Sequence, residues 1–321
     1  MKTFAAVATL GAVASATLMQ KLDYDFMRFV SAHNKMYGTV EEFDLRKSLY
    51  AEVDAFVQEA NAKDSSYRAA HNKFSDWTQQ EKDNLLGLKN MPVTLMDDEV
   101  VEAEAPINTT TKNWCDEGAC TPVKDQGSCG SCWAFSSIEA IESAWKIAGN
   151  DLVVMSEQEL VDCSSSTGNE GCNGGWYFWS YDWLKTNKTM KEADYPYTAR
   201  DGSCQYNADK GITNVPSYGQ TKNTGDNLAR LAEQPVNVAV AAGNNVFMNY
   251  SSGIITVDDG CPTSIDHAIV AVGWGSENGV QYYIVRNSWG TGWGEGGFVR
   301  IQTSTGRGVC GINQYVFYPN V

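Results

Sequence analysis

The sequence predicts an α+β chain in which a helical lobe faces a β-rich lobe across a cleft, with a separate helical segment ahead of both. Three observations predict it. Ala134, Ile138, Ile141, Trp145 and Ala148 recur at steps of four and three, which marks one buried helix face. Apolar runs separated by Gly, Asn and Asp dominate from about residue 235 onward and read as strands. All nine cysteines fall after residue 114, so the first third of the 321 residues is set apart from the rest.

The chain opens with Lys2 and an apolar run from Phe4 to Leu18 that contains Ala14-Ser15-Ala16, a small-residue cleavage pattern. The run is too short to span a bilayer, so residues 1–16 read as a secretory signal peptide; a buried helix is the alternative. No later stretch approaches 18 uninterrupted apolar residues, and no membrane partner is expected. Residues 17–105 lack cysteine and are rich in helix formers. They end in the acidic stretch MDDEVVEAEAP (96–106), expected to be an extended linker. The main domain is then 106–321. Its first half carries helices: one over 132–148 stopped by Gly149, and one before LVDC with Ser156 and Glu159 as a capping box. Its second half holds PVNVAVAA, GIITV, HAIVAVGWG, QYYIVRNSWG, GFVRIQT and YVFYP as strands. There is no internal repeat or low-complexity tract.

Apolar residues make up 43% and charged residues 20%, a globular composition. A formal charge of -15 argues against nucleic acid, because phosphate binding needs a basic face. An acidic chain also loses self-repulsion where carboxylates protonate, which suits a lysosome or digestive vacuole. A secretory route permits disulfides. Four bridges absorb eight of the nine cysteines, and the odd one is an intermolecular link or a free reactive thiol.

The stretch QGSCGSCWAF (126–135) places Cys129 and Cys132 three apart, a spacing shared by redox pairs and half zinc sites. With one such pair and one nearby histidine, a zinc set is incomplete, so no metal is expected. A thioredoxin-like pair needs a preceding strand, and KNWCDEGACTPVKDQGS (112–128) shows no strand pattern. Of His33, His71 and His267, only the last lies in the cysteine-bearing part, so it alone can activate a thiol there. Cys132 opens the predicted helix, where unpaired N–H groups and the macrodipole favour an anion. Beside an imidazolium, such a thiol is expected to ionise well below about 8.5.

QGSCGSCWAF, GCNGG (171–175), DHAIVAVGWG (266–275) and NSWG (287–290), in this order, resemble the motifs of the papain family of cysteine proteases. His267 follows Cys132 by 135 residues and Asn287 by 155, and the resemblance covers nearly everything from 106 onward. It implies a papain-like two-lobe fold and a cysteine endopeptidase that needs no cofactor. Cys132 would attack the peptide carbonyl, and His267 would hold the ion pair and protonate the leaving amine. Asn287 would orient the imidazole, and Trp289 would shield that bond from water. Gln126 and the Cys132 N–H would hold the oxyanion. Gly174, Gly175 and Asp266 would bind substrate beside Trp289. Trp176, Tyr177, Ala239, Ile265 and Ala268 would wall the pocket for the second residue before the scissile bond, with Tyr315 at its floor. No carboxylate stands there to pair with arginine, so Leu or Val is expected; Tyr315 could instead be a core-facing strand residue. The same resemblance pairs Cys129 with Cys172, Cys163 with Cys204 and Cys261 with Cys310. Cys115 and Cys120 depart from the commonest pattern. Five apart across a turn, they form a local bridge or stay two free thiols.

Upstream, Glu42, Arg46, Tyr50, Val53, Val57 and Asn61 resemble the long-helix prosegment motif of cathepsin L-like zymogens. The match departs at Tyr50, Val53 and Val57, where Phe, Asn and Ile are usual. Ala70, Asn72, Phe74 and Asp76 resemble the shorter motif after it, with Ala70 in place of Gly. Residues 17–105 would then be an inhibitory propeptide, loosened by acid as carboxylates such as Asp76 protonate. Cleavage is expected near Ala105–Asn108. The implied partners are protein and peptide substrates, the chain's own propeptide and cystatin-like inhibitors, with the enzyme a monomer. Two other classes remain: a Cys-His-Asn acyl transferase whose thioester is captured by an amine, and a protease-like binder without chemistry. The binder would normally show a substituted Cys, His or Gln. Glycosylation sequons lie at Asn108, Asn187 and Asn249.

Overall fold

A computed structural model describes residues 10–88, 111–221 and 223–321, with side chains from Lys21 onward. Residues 1–9, the acidic stretch 96–106, the expected cleavage site and Asn108 lie outside the described residues. The N-terminal segment contains α1 (Leu10–Ala32), α2 (Val40–Asn61), β1 (Arg68–Ala69) and α3 (Gln79–Leu85). Thr39 opens α2 by accepting a bond from the Glu42 N–H, and Glu41 and Glu42 complement the positive helix end. Thr78 and Glu81 close a complete capping box on α3. Phe26, Phe29 and Tyr50 form a small core between α1 and α2.

The expected motif residues clamp this segment together. Arg46 grips Glu81 through two bonds of 2.5 and 2.8 Å and donates to the Asp76 carbonyl at 2.9 Å. Asn61 exchanges two hydrogen bonds with the backbone of Ala69. Asp76 accepts from Lys35 at 2.6 Å and from the Tyr37 hydroxyl at 2.8 Å.

The main domain follows as β2 (Lys112–Asn113), α4 (Cys132–Ile147), α5 (Glu157–Cys163), α6 (Tyr177–Leu184), β3 (Ser217–Thr221) and α7 (Thr224–Leu231). It continues with β4 (Val236–Val240), α8 (Asn245–Met248), β5 (Tyr250–Ser252) and β6 (Ile254–Ile255). It ends with β7 (His267–Glu277), β8 (Val280–Arg286), β9 (Phe298–Gln302) and β10 (Val316–Asn320). One sheet runs β3-β10-β4-β7-β8-β9-β6, with β2 added to β7; only β6–β9 is parallel. The N-terminal segment adds itself to this domain as a strand. β1 pairs antiparallel with β5, the Ala70 N–H donates to the Asn249 carbonyl, and the Asn72 amide donates to the Met248 carbonyl at 2.7 Å.

α4 ends as expected, with Gly149 at φ +97 donating to the Lys146 carbonyl. Its burial differs. Residues from Cys132 to Ala144 are buried on every side, whereas Ala148, expected on the buried face, is exposed. α4 sits between the sheet and the other helices, so an apolar stripe understates it. Its polar atoms are satisfied inside: Ser136 Oγ donates to the Ile269 carbonyl, and Asn237 donates to the Ser136 carbonyl at 2.7 Å.

Four local expectations are corrected. The capping box on α5 is half formed: Ser156 accepts the Glu159 N–H, but the Glu159 carboxylate turns to the Met190 N–H at 2.6 Å. Residues 112–128, expected to lack a strand, contain β2, which at two residues shows no period. Its close approach depends on Gly273, where a Cβ would lie 2.0 Å from the Lys112 carbonyl oxygen. GIITV supplies only the two-residue β6. Tyr315, in the expected strand YVFYP, precedes β10 in a left-handed conformation, φ 52.

Four disulfides join Cys115–Cys120, Cys129–Cys172, Cys163–Cys204 and Cys261–Cys310, and Cys132 is free. The 115–120 pair is thus the local bridge, not two free thiols. Among the described residues no helix is long and apolar enough to cross a membrane, and no group of side chains is arranged to hold a metal.

Candidate active site

Cys132 is the first residue of α4, which points its N-terminus at the junction of the helical and β lobes. Ser131 before it makes no side-chain cap, so the helix end is not neutralised by a neighbour's oxygen. The 129–172 disulfide and a bond from the Gly130 N–H to the Cys172 carbonyl tie this helix start to the GCNGG loop. From the other lobe, β7 begins at His267, and the N–H of Ala268 donates to the Cys132 sulfur at 3.5 Å.

His267 is wholly buried. Its Nε2 lies 2.8 Å from Asn287 Oδ1, which also accepts the Ser288 N–H at 2.8 Å. An atom that accepts a backbone N–H is an oxygen, so Nε2 is the protonated nitrogen and donates to it. Nδ1 is left with its lone pair and no hydrogen-bond partner. The imidazole stacks on Trp289, ring centroids 4.7 Å apart, and Phe247 and Trp293 pack around that indole. This cage excludes water from the His267–Asn287 bond and strengthens it.

Gln126 is also buried. Its Oε1 accepts from the Ser288 hydroxyl at 2.8 Å, which aims Nε2 at two carbonyls, Leu85 and Cys129, each at 2.9 Å. Leu85 belongs to the N-terminal segment, which runs through the whole site. Gly87 donates its N–H to the Cys132 sulfur, and its carbonyl accepts from the Gly175 N–H at 2.9 Å. The N–H of Leu88 donates to the Asp266 carbonyl at 3.0 Å. Gly174 bonds within its own turn: its N–H donates to the Gly171 carbonyl at 3.2 Å and its carbonyl accepts the Glu170 N–H at 2.7 Å.

The Leu88 side chain is buried in one apolar cluster with Trp176, Tyr177, Ala239 and Ala268, and Ile265 and Tyr315 pack against it. Ala239 and Ala268 are cross-strand partners on β4 and β7. Trp176 and Tyr177 are fully buried beneath. The Tyr315 ring meets Trp176 edge-on at 5.6 Å, and its carbonyl accepts the Tyr177 hydroxyl.

Ionisation in this covered state differs from the expected ion pair. Burial pushes the Cys132 thiol up to about 11, against donors from Ala268, Gly87 and Trp133. Burial likewise lowers His267 to about 4, against the raising effect of Asn287. With residues 85–88 in place, water is gone, and both groups are held neutral. Burial also pushes Asp266 up to about 6, opposed by N–H bonds from Ala242 and Gly243.

Sequence reasoning missed Ser288, which sets the Gln126 amide, and it missed the run Leu85-Leu86-Gly87-Leu88. A glycine flanked by leucines at the end of a short polar helix was a signal for a segment that must thread a narrow apolar cleft. It also missed Phe74 as a lid on Trp289, ring centroids 5.0 Å apart.

The model of the papain family cysteine protease matches residues 108–320, and that of the cathepsin propeptide inhibitor domain matches residues 26–81. Cysteine protease XCP2 of Arabidopsis thaliana is 39% identical, over 92% of this chain and 85% of its own. Papaya proteinase 4 of Carica papaya is 36% identical, over 94% and 88% respectively. Among solved structures, the digestive procathepsin L2 proteinase from Tenebrio molitor larval midgut has a TM-score of 0.83 at 32% identity, with 94% of this chain and 100% of that one covered.

Proposed function

The chain belongs to the papain family of cysteine proteases and carries its propeptide inhibitor domain, and from that premise we propose an acid-activated cysteine endopeptidase working through Cys132, His267 and Asn287. One observation carries the assignment: the Gln126 amide holds a backbone carbonyl beside the only free thiol, at a helix N-terminus. A substrate carbonyl placed there would meet Gln126 Nε2 and the Cys132 N–H as its charge develops. The thiolate attacks, His267 Nδ1 carries the proton to the leaving amine, and water later hydrolyses the thioester with His267 as base. Asn287 keeps the imidazole in the tautomer with Nδ1 free, and Trp289 keeps water off that bond.

The propeptide inhibits by what it presents. Gly87 offers the sulfur an N–H and turns its carbonyl to Gly175, so the thiol faces no electrophilic carbon. Removing it readmits water, which lowers the cost of charge on both groups and lets the thiolate–imidazolium pair form. For acid release, the contacts that must open include those of Asp76 with Lys35 and Tyr37. The Arg46–Glu81 clamp is not the trigger: Arg46 holds Glu81 down to about 2, so the pair outlasts mild acid.

The proposed boundaries are a signal peptide over 1–16, an inhibitory propeptide over 17–105 and the peptidase over 106–321. The enzyme acts as a monomer on protein and peptide substrates in general degradation, open to cystatin-like inhibitors. It resides in the secretory pathway, in a lysosome or digestive vacuole or outside the cell. The digestive procathepsin of Tenebrio molitor and the KDEL-tailed endopeptidase of Arabidopsis thaliana have comparable sequences. Leu88 in the Ala239–Ala268 pocket supports a preference for medium apolar residues second before the scissile bond. Nothing specific favours the acyl-transferase or non-catalytic readings.

Purified zymogen incubated at mildly acidic pH should shorten to a new N-terminus between about residues 100 and 112 and gain peptide hydrolysis. Cys132→Ser should do neither. Hydrolysis by that variant, or a full-length precursor equally active at pH 7, would overturn the assignment.

A further inference from the structure

Asp125 immediately precedes Gln126 and forms a backbone bridge with Trp289, the indole that covers His267. The propeptide passes Leu85 at Gln126, Gly87 at the sulfur and Leu88 at the apolar pocket. On the reading above, that pocket takes the acyl half of the substrate, so Asp125 and Trp289 stand where the leaving half departs. There the propeptide places an aromatic ring and a cation side by side. Phe74 packs edge-on to Trp289, the Lys73 ammonium lies 5.1 Å over the Phe74 ring, and it pairs with Asp125 Oδ2 at 2.6 Å.

The peptidase domain itself offers Asp125 no cation among the described residues. Oδ1 accepts the Gly127 N–H at 3.0 Å. The neighbouring Lys124 turns inward to Glu142 and Glu157. A cavity of about 390 Å³ remains beside the pair, lined by His33, Lys73, Val123, Asp125, Trp289 and Gly290. Departure of the propeptide removes His33, Lys73 and Phe74 together. It leaves an unpaired carboxylate half open to solvent next to a flat indole.

We propose that Asp125 and Trp289 form a subsite that selects a lysine or arginine among the first two residues after the scissile bond, Lys73 being its built-in occupant. This rests on the peptidase reading above. The Asp125 carboxylate pairs with the incoming cation, and the Trp289 face takes its aliphatic stem. The contribution appears in kcat/KM, because the pair forms on binding and holds the leaving half over His267.

The test uses activated enzyme and two sets of four fluorogenic peptides that share Leu second before the scissile bond and carry Lys, Arg, Ala or Glu on the leaving side, one set at the first position and one at the second. Wild type should cleave the Lys and Arg peptides about three- to fivefold faster than Ala, and Glu slower still, with the spread shrinking in high salt. Asp125→Asn should bring the Lys/Ala ratio near one, and Asp125→Lys should invert the order. The ratio is insensitive to a general loss of activity. A ratio unchanged in Asp125→Asn assigns the preference to the overall negative charge and overturns the subsite alone. So does wild type cleaving all four equally in both sets. Wild type cleaving none overturns the peptidase reading as well.

Discussion

Gly87→Ala tests the claim that latency depends on how closely the propeptide approaches the thiol. Gly87 has an ordinary φ, so alanine costs nothing in backbone conformation. The obstacle is space: the added Cβ would lie 2.0 Å from the Gly130 carbonyl oxygen, 2.7 Å from its carbon and 3.1 Å from the Cys132 sulfur. Relief needs a displacement of about 1 Å, because ordinary carbon–oxygen contact begins well beyond 3 Å. Neither the Gly175–Gly87 bond at 2.9 Å nor the Leu88–Asp266 bond at 3.0 Å survives that shift. Two lost hydrogen bonds cost about 1 kcal/mol each, and partly unburying Leu88 costs about 1 more. The sum, about 3 kcal/mol, is roughly a hundredfold in the ratio of open to closed site. Alkylation of Cys132 in the uncleaved zymogen at pH 7 reads this ratio, since the closed thiol is wholly buried and pushed up to about 11. The variant should label tens of times to a hundredfold faster than wild type, with Cys132→Ser as blank. A rate within about threefold of wild type, in a variant that melts like wild type, would refute the reasoning.

Two further predictions concern pH and modification. Burial pushes the Glu159 carboxyl up to about 8, with only the Met190 N–H opposing, and pushes Glu139 up to about 7 despite Arg286 at 3.2 Å. A folded-state value above the unfolded one near 4.5 means the native chain holds these protons more tightly, so stability is highest below about 4.5 and declines toward pH 8. Thermal midpoints of the peptidase should fall from pH 5 to 8, and Glu159→Gln should coincide with wild type at pH 5 and exceed it at pH 8; parallel curves would refute this. At the sequons, Asn249 is buried, its amide donates to the Asn245 carbonyl, and its own carbonyl accepts from Ala70 of the propeptide. Mass spectrometry after deglycosylation should find Asn249 unmodified in the purified zymogen, and a glycan there would contradict the docking of β1 on β5.

By itself the sequence determined the candidate parts of the site and much of the frame. The run into Cys132, the lone downstream histidine in a strand and the Asn-Ser-Trp-Gly turn are local patterns, readable because residue type and spacing carry them. α4, β4, β7 and β8 were legible for the same reason: their apolar runs are long enough to show a period. Shorter or polar pieces were not. β2 is two residues held by Gly273, and β3 is SYGQT, whose pairing with β10 is decided by the partner strand. Only tertiary structure decided the state of the site. Leu85 and Gln126 are 41 residues apart, and Phe74 and Trp289 far more, so nothing local announces that one covers the other. The same contacts reverse the ionisation that the helix end alone would favour. A dipole at a helix N-terminus acts through one turn, whereas loss of water around a wholly enclosed sulfur removes the solvation on which any thiolate depends. Residue type supplies a thiol, and packing decides when it can ionise.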